Sequence, residues 1–223
     1  MVYFRLYIQH VLIMIVLLSS CASFSAYFNT FYNAKEQFNK AELLRKKSEN
    51  NKLSKTAADL YKSSIEKSKF ILSEYPDVQF RKDAFLLIIK SHYFTAEYKE
   101  ANQAIAAMQD EFNDESIIEV AYWSALVKWK EGKAQPAINS LVNLLESEVN
   151  IKLQSKIYLS IAEIYFEQKF NEKSMDYLEL AAKKIKERSE KDQIYYRIAE
   201  LSFKQKDFNR SLLAYKEVIK NTQ

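Results

Sequence analysis

The chain has 223 residues, of which 48% are hydrophobic and 28% charged, so it can bury a sizeable core. Its single Gly and two Pro exclude a β-rich or dinucleotide-binding fold, whose turns and phosphate loops need those residues, and leave an all-α chain with short polar connections. The net charge of +4 is spread as 33 basic against 29 acidic residues with no block of five like charges, which excludes a basic arm for nucleic acid.

The amino-terminal residues read as a leader. MVYFRLYIQH carries Arg5 and ends on Gln9 and His10; VLIMIVLL follows as an unbroken apolar run. A membrane-spanning helix needs about 20 apolar residues, so the run is too short. A basic start, a short apolar centre and small residues after it form the pattern of a secretory signal peptide over residues 1–20. Leu18, Ser19 and Ser20 then precede Cys21, the only cysteine. One cysteine cannot build a disulfide framework or a multi-cysteine metal site. With histidine only at positions 10 and 92, a His-based metal site or triad cannot be assembled after the leader.

Residues 25–49 place Phe28, Phe31, Phe38, Ala41 and Leu44 at helical spacing, with Phe24 just before, and NNKLS (50–54) is a linker. SSIEKSKFILSEYPD (63–77) reads as a second helix with Ser64, Ser68 and Ile71 in its core, stopped at Pro76. This first pair over 25–78 is either a cap, its aromatics closing the end of a stack, or a docking site. Four segments then align without gaps, from Phe85, Ala121, Tyr158 and Tyr195, offset by 36, 37 and 37 residues. Their fifth column is Ile89, Ala125, Ala162 and Ala199; their ninth is aromatic, Tyr93, Trp129, Phe166 and Phe203; their seventeenth is Ala101, Ala137, Ser174 and Ser211. Polar breaks fall in mid-unit, at TAEYKE, KEGKAQ, EQKFNE and KQKDFN, so each unit over 79–223 is two amphipathic helices and a tight turn. The segments contain no phosphate loop, paired-carboxylate site or nucleophile with a base, and Glu163 and Glu200 read as surface charge. An enzyme is not expected, nor a cofactor.

Small residues on both helices of a pair, in a unit close to the family's length of about 34 residues, resemble the tetratricopeptide repeat (TPR). The fold expected is all-α: a TPR-like α-solenoid of about five helix-turn-helix repeats and about ten helices. The resemblance implies a peptide- or partner-binding groove lined by the first helix of each pair. Its columns here are Leu86, Lys90, Tyr93 and Phe94; Tyr122, Leu126, Trp129 and Lys130; Leu159, Glu163, Phe166 and Glu167; and Tyr196, Glu200, Phe203 and Lys204. The aromatic column suits either the groove or the inter-repeat core. The groove lacks the Asn of carboxylate-clamp repeats, and Ile89 departs from the small first-helix position.

Leu18-Ser19-Ser20-Cys21 resembles the bacterial lipoprotein lipobox, which implies diacylglycerol on Cys21, with 21–24 as the lipidated tether. Acyl chains at ~0.8 kcal/mol per buried CH₂ hold a protein stably once there are two or three of them. Ala22 and Ser23 lack the Asp of an inner-membrane retention signal, so the expected address is the periplasmic face of the outer membrane. In layout, and in FILSEYPDVQFRKDAFLLIIKSHYFTAEYKEA (70–101), the chain resembles the BamD family, the TPR lipoproteins of the β-barrel assembly machinery. That resemblance implies envelope proteins as partners, among them the barrel-forming assembly factor and unfolded outer-membrane proteins, with the membrane reached through the lipid and neither nucleic acid nor a small-molecule substrate. A TPR lipoprotein adaptor in another envelope system, peptidoglycan maintenance or secretion, is the second reading.

Overall fold

The computed structural model describes residues 29–48, 52–76, 79–112 and 118–220. Among them are ten α-helices and no strand: α1 (29–47), α2 (Lys55–Glu74), α3 (Arg81–Phe94), α4 (Tyr98–Phe112), α5 (Ile118–Lys130), α6 (Ala134–Leu145), α7 (Ile151–Glu167), α8 (Asn171–Lys184), α9 (Arg188–Lys204) and α10 (Phe208–Lys220). Leu18, Ser19, Ser20, Cys21, Phe24 and Phe28 lie outside the described residues. The chain divides into two compact units between Asn113 and Asp114.

In the first unit α2 packs on α3 and α3 on α4; in the second, each helix from α5 to α10 packs on the next, and α5 also touches α7. The turns explain this regularity. Within the pairs α3/α4, α5/α6, α7/α8 and α9/α10 the chain reverses through three residues, and the middle one has a left-handed backbone: Ala96, Gly132, Lys169 and Lys206, with φ of 61°, 85°, 64° and 66°. The same two hydrogen bonds close each turn. Glu97, Lys133, Phe170 and Asp207 donate their N–H to the carbonyls of His92, Lys128, Tyr165 and Ser202, and the left-handed residues donate to Tyr93, Trp129, Phe166 and Phe203. This is the Schellman stop, which satisfies carbonyls a helix end would otherwise leave open. One glycine serves four such turns, so three of them carry a Cβ in a region that disfavours it.

The residue that ends each stop also starts the next helix. Ala101, Ala137, Ser174 and Ser211 donate their N–H to the carbonyls of Glu97, Lys133, Phe170 and Asp207. These are the small residues of the seventeenth column, and all four are buried, as are Ala125, Ala162 and Ala199 on the first helices. Small side chains at both positions let two helices approach closely enough to bury the larger residues around them, such as Ile161, Leu178 and Ile198. Ile89 is fully buried at its departure from that pattern.

The first pair forms differently. Ser54 caps α2 by accepting the Ala57 N–H at 3.2 Å, and Ser64, Ser68 and Ile71 are buried as expected. The helix extends N-terminally beyond residue 63 to Lys55 and ends at Glu74, because the residue before Pro76 is pushed out of helical geometry. Arg81 then seals its open end: Nη1 donates to the carbonyls of Leu72 and Tyr75 at 2.8 and 3.0 Å, while Nε and Nη2 grip Glu111 of α4. In α1 Phe31 and Ala41 are buried and Phe38 is half-buried, but Leu44 is exposed. The buried stripe runs Ala34, Phe38, Ala41, Arg45, so the helical step after Ala41 falls on Arg45 and rotates Leu44 outward.

Candidate partner-binding face

The expected groove columns lie on α3, α5, α7 and α9, and the two units treat them in opposite ways. In the first unit the columns are closed over. Phe94 stacks on Tyr61 of α2 with ring centroids 5.7 Å apart and meets Phe38 of α1 at 6.4 Å. The Arg45 guanidinium lies 4.2 Å from the Phe94 ring centroid, a cation–π contact. Glu42 holds Arg45 with two hydrogen bonds of 2.8 and 2.9 Å and accepts the Tyr61 hydroxyl. Burial alone would raise the Glu42 pKa, but the hydrogen bonds from Arg45 and Tyr61, with the charge of Arg45, outweigh it and hold the carboxyl below its ordinary value. Tyr93 rests on Phe94 and Tyr98 at 5.3 and 6.1 Å, and Leu86 and Lys90 are half-buried.

In the second unit the columns form a ladder from one first helix to the next. Trp129 Nε1 and Lys130 Nζ of α5 donate to the two carboxylate oxygens of Glu167 on α7 at 2.9 and 3.0 Å. Glu163 of α7 is bidentate with Arg197 of α9, whose guanidinium lies 5.1 Å from the Phe166 ring. Glu163 is therefore a rung between helices rather than a solvated charge. Above these rungs aromatic rings face outward: Phe166 is 39% exposed, Tyr196 49% and Phe203 60%. Tyr196 packs edge-on against Tyr215, and Phe203 against Phe208.

Two residues placed in the groove by sequence are inside instead. Tyr122 and Leu126 are buried, because α5 also touches α7 and its column-two and column-six side chains fill that contact. The Tyr122 hydroxyl shares a hydrogen bond of 2.9 Å with Ser160 of α7, and burial pushes its pKa up. Sequence reasoning missed Arg45, Glu42 and Arg197. The Glu42-x-x-Arg45 spacing was available as a helical ion pair; Arg197 lies one column beyond Tyr196. A cleft of about 950 Å³ in the second unit, bordered by Asn150, Lys152, Lys184, Lys186 and Glu190, mixes both charges and holds no nucleophile with a base. Among the described residues no group of His, Cys, Asp and Glu could hold a metal ion, and no helix is long and apolar enough to cross a membrane.

Repeating helix pairs with one turn geometry and one set of small-residue contacts define an all-α, TPR-like helical-repeat protein. No family model and no curated protein matches the chain. Among solved structures it is similar to the crystal structure of MamA, a TPR-containing protein, with a TM-score of 0.54 and 14% identity over 74% of this chain and 90% of that one. Agreement in backbone at so low an identity is agreement in fold alone.

Proposed function

We propose that the protein is a non-enzymatic scaffold of the bacterial cell envelope, anchored through lipid on Cys21 at the periplasmic face of the outer membrane, where it binds polypeptides in β-barrel assembly. One observation carries the binding role: the outward aromatic row Phe166, Tyr196 and Phe203 on a base of paired charges that fixes α5, α7 and α9. Aromatic rings on a rigid base bind apolar side chains at small entropic cost. An extended client whose apolar residues alternate, as a barrel strand's do, presents such side chains on one face at regular intervals. The lipobox-like Leu18-Ser19-Ser20-Cys21 supports the anchor, and the resemblance of residues 70–101 to the BamD family supports the pathway.

The binding role is tested with a synthetic strand peptide of an outer-membrane barrel protein, labelled and titrated with the protein. Binding that weakens roughly tenfold in Phe203→Ala is expected. A peptide that binds this variant and the native protein equally defeats the assignment of the face. The pathway is tested by affinity purification from envelope extracts. Recovery of the barrel-forming assembly factor supports it, and recovery of cell-wall factors alone replaces it with the adaptor reading. The anchor is tested by Cys21→Ala, which should leave the outer-membrane fraction; a variant still lipid-modified there refutes the lipobox reading.

A further inference from the structure

Glu163 and Phe166 show what a carboxylate and a ring three residues apart can hold. Arg197 of α9 makes two hydrogen bonds to the Glu163 carboxylate, and its guanidinium carbon lies 5.1 Å from the Phe166 ring centroid. Residues three apart share a helix face, so the carboxylate takes the N–H groups of the guanidinium while the ring takes its charge.

The repeat register sets the same two residue types at the same spacing on α9. Glu200 stands in the column of Glu163, and Phe203 in that of Phe166. The earlier first helices differ: these columns read Lys90 and Tyr93 on α3, and Leu126 and Trp129 on α5. On α9 the pair faces outward. Glu200 is exposed, and its carboxylate has no hydrogen-bond or ion-pair partner among the described residues. Lys204, one turn on, is exposed and lies beyond ion-pair distance of it. Phe203 is 60% exposed, with Phe208 edge-on at 5.6 Å. Tyr196, Glu200 and Phe203 follow at steps of four and three, so ring, carboxylate and ring share one face of α9.

The arginines of the described residues are already engaged within the chain. Glu42 holds Arg45, Glu111 holds Arg81, and Glu172, Asp176 and Glu179 together hold Arg210. Arg188 reaches Asp192 at 4.0 Å. A second copy of the chain would have to break one of its own pairs to offer a guanidinium to α9, so the ligand belongs to a different polypeptide. Arginine suits the pair better than lysine, because a planar fork can meet a carboxylate along its edge while its face lies on a ring.

We propose that Glu200 and Phe203 form a binding site for an arginine side chain of the client polypeptide, held as Glu163 and Phe166 hold Arg197. The site rests on the reading that the outward aromatic row binds strands, and it adds a rule of selection: the preferred client carries an arginine beside the apolar side chains that meet Tyr196 and Phe203.

The probes are three versions of one fluorescein-labelled strand peptide of about ten residues, the length of a barrel strand, with arginine, citrulline or lysine in the middle of its apolar face. Citrulline keeps the shape of arginine and lacks its charge. Each is titrated with the full chain by anisotropy. At low salt the arginine peptide should bind roughly fivefold more tightly than the citrulline peptide, with lysine between them, and the difference should shrink as salt is raised. Glu200→Gln should abolish the preference and leave the affinity for the citrulline peptide unchanged. Glu200 is exposed, so this variant should keep the native thermal midpoint. Equal binding of the arginine and citrulline peptides, or a preference that survives Glu200→Gln, overturns the proposal and leaves the strand-binding row standing. Lysine binding as tightly as arginine overturns the assignment to a guanidinium. If no peptide binds, the row reading fails and the site is judged alone, by titrating the nitrogen-15-labelled full chain with N-acetylarginine amide and N-acetylcitrulline amide. Amide shifts at Glu200 and Phe203 with the arginine compound only support the site, and flat spectra overturn it. A Glu200-dependent dimer in sedimentation gives the site to a second copy and equally overturns it.

Discussion

Phe94 and Phe203 are near neighbours in the repeat register, at the carboxyl ends of α3 and α9, yet one is structural and the other displayed. Phe94 is enclosed by Phe38, Tyr61 and the Arg45 guanidinium, all from the first pair. Phe203 is 60% exposed, with Phe208 edge-on against its ring. The two rings sit one column apart, and the neighbouring helices decide the use of each. In the first unit α1 and α2 spend their aromatics on covering α3. In the second unit the first helices are joined by polar rungs, which leave the rings above them uncovered.

Removing each ring is the strongest way to break that comparison. Phe94→Ala should lower stability by about 2–3 kcal/mol, since it opens a space between three elements, while Phe203→Ala should change it by less than about 0.5 kcal/mol. Urea denaturation followed by circular dichroism measures both. Fluorescence of Trp123 and Trp129, both in the second unit, isolates that unit's transition. Equal losses from the two variants would show that the rings have the same structural role.

The second contrast is in charge. The Glu42 carboxyl is held below its ordinary value of 4.5. A depressed folded-state pKa stabilises fully above the unfolded value, and that stabilisation is lost as pH falls through the lower folded value. Glu42→Gln should therefore cost about 1–2 kcal/mol near neutral pH, since it removes a charge hydrogen-bonded to Arg45 and Tyr61. The gap between native and variant midpoints should close on acidification from about pH 5 downward. A gap that stays constant with pH would mean that the carboxylate's charge is not what stabilises the cluster.

The helix pairs were legible because their cause is local. Small residues recurring every 36 or 37 positions, apolar steps of three and four, and polar breaks are properties of contiguous sequence, and the helices follow them. What failed depended on which helix comes to lie against which. Tyr122 and Leu126 share columns with Leu86 and Lys90, yet they are buried because α5 touches α7. Leu44 reads as core until Arg45 is seen to take the next helical step toward Phe94. Arg197 and Glu163 are 34 residues apart, a spacing that means contact only once α7 and α9 are neighbours.

The turns give a finer test, because one backbone shape is reached with different residues. The first unit uses Ala96; the second uses Gly132, Lys169 and Lys206. Gly132→Ala should cost about 1 kcal/mol, entirely through the backbone, since a Cβ there would meet nothing within 4 Å. Lys169→Gly and Lys206→Gly relieve left-handed strain at the expense of a freer unfolded chain, so each should gain about 0.5 kcal/mol. Thermal midpoints would order the variants, and a loss in both glycine variants would show that the lysine side chains, not the backbone, set the turns.

A small loss of stability is expected at the rung between α7 and α9. Glu163 and Arg197 are each about a third exposed, at 39% and 34%, so solvent screens the pair. Arg197→Gln should cost only about 0.5 kcal/mol, and less in high salt. Its larger consequence should be positional. The guanidinium lies over Phe166 as well as on Glu163, so its loss frees that ring to turn. Glu163→Gln removes the same charge pair but leaves the cation over the ring. If the rungs orient the aromatic row, strand-peptide binding should weaken more in Arg197→Gln than in Glu163→Gln at similar stability. Equal weakening would mean that the ion pair alone holds α7 to α9 and that the Phe166 ring needs no partner to face outward.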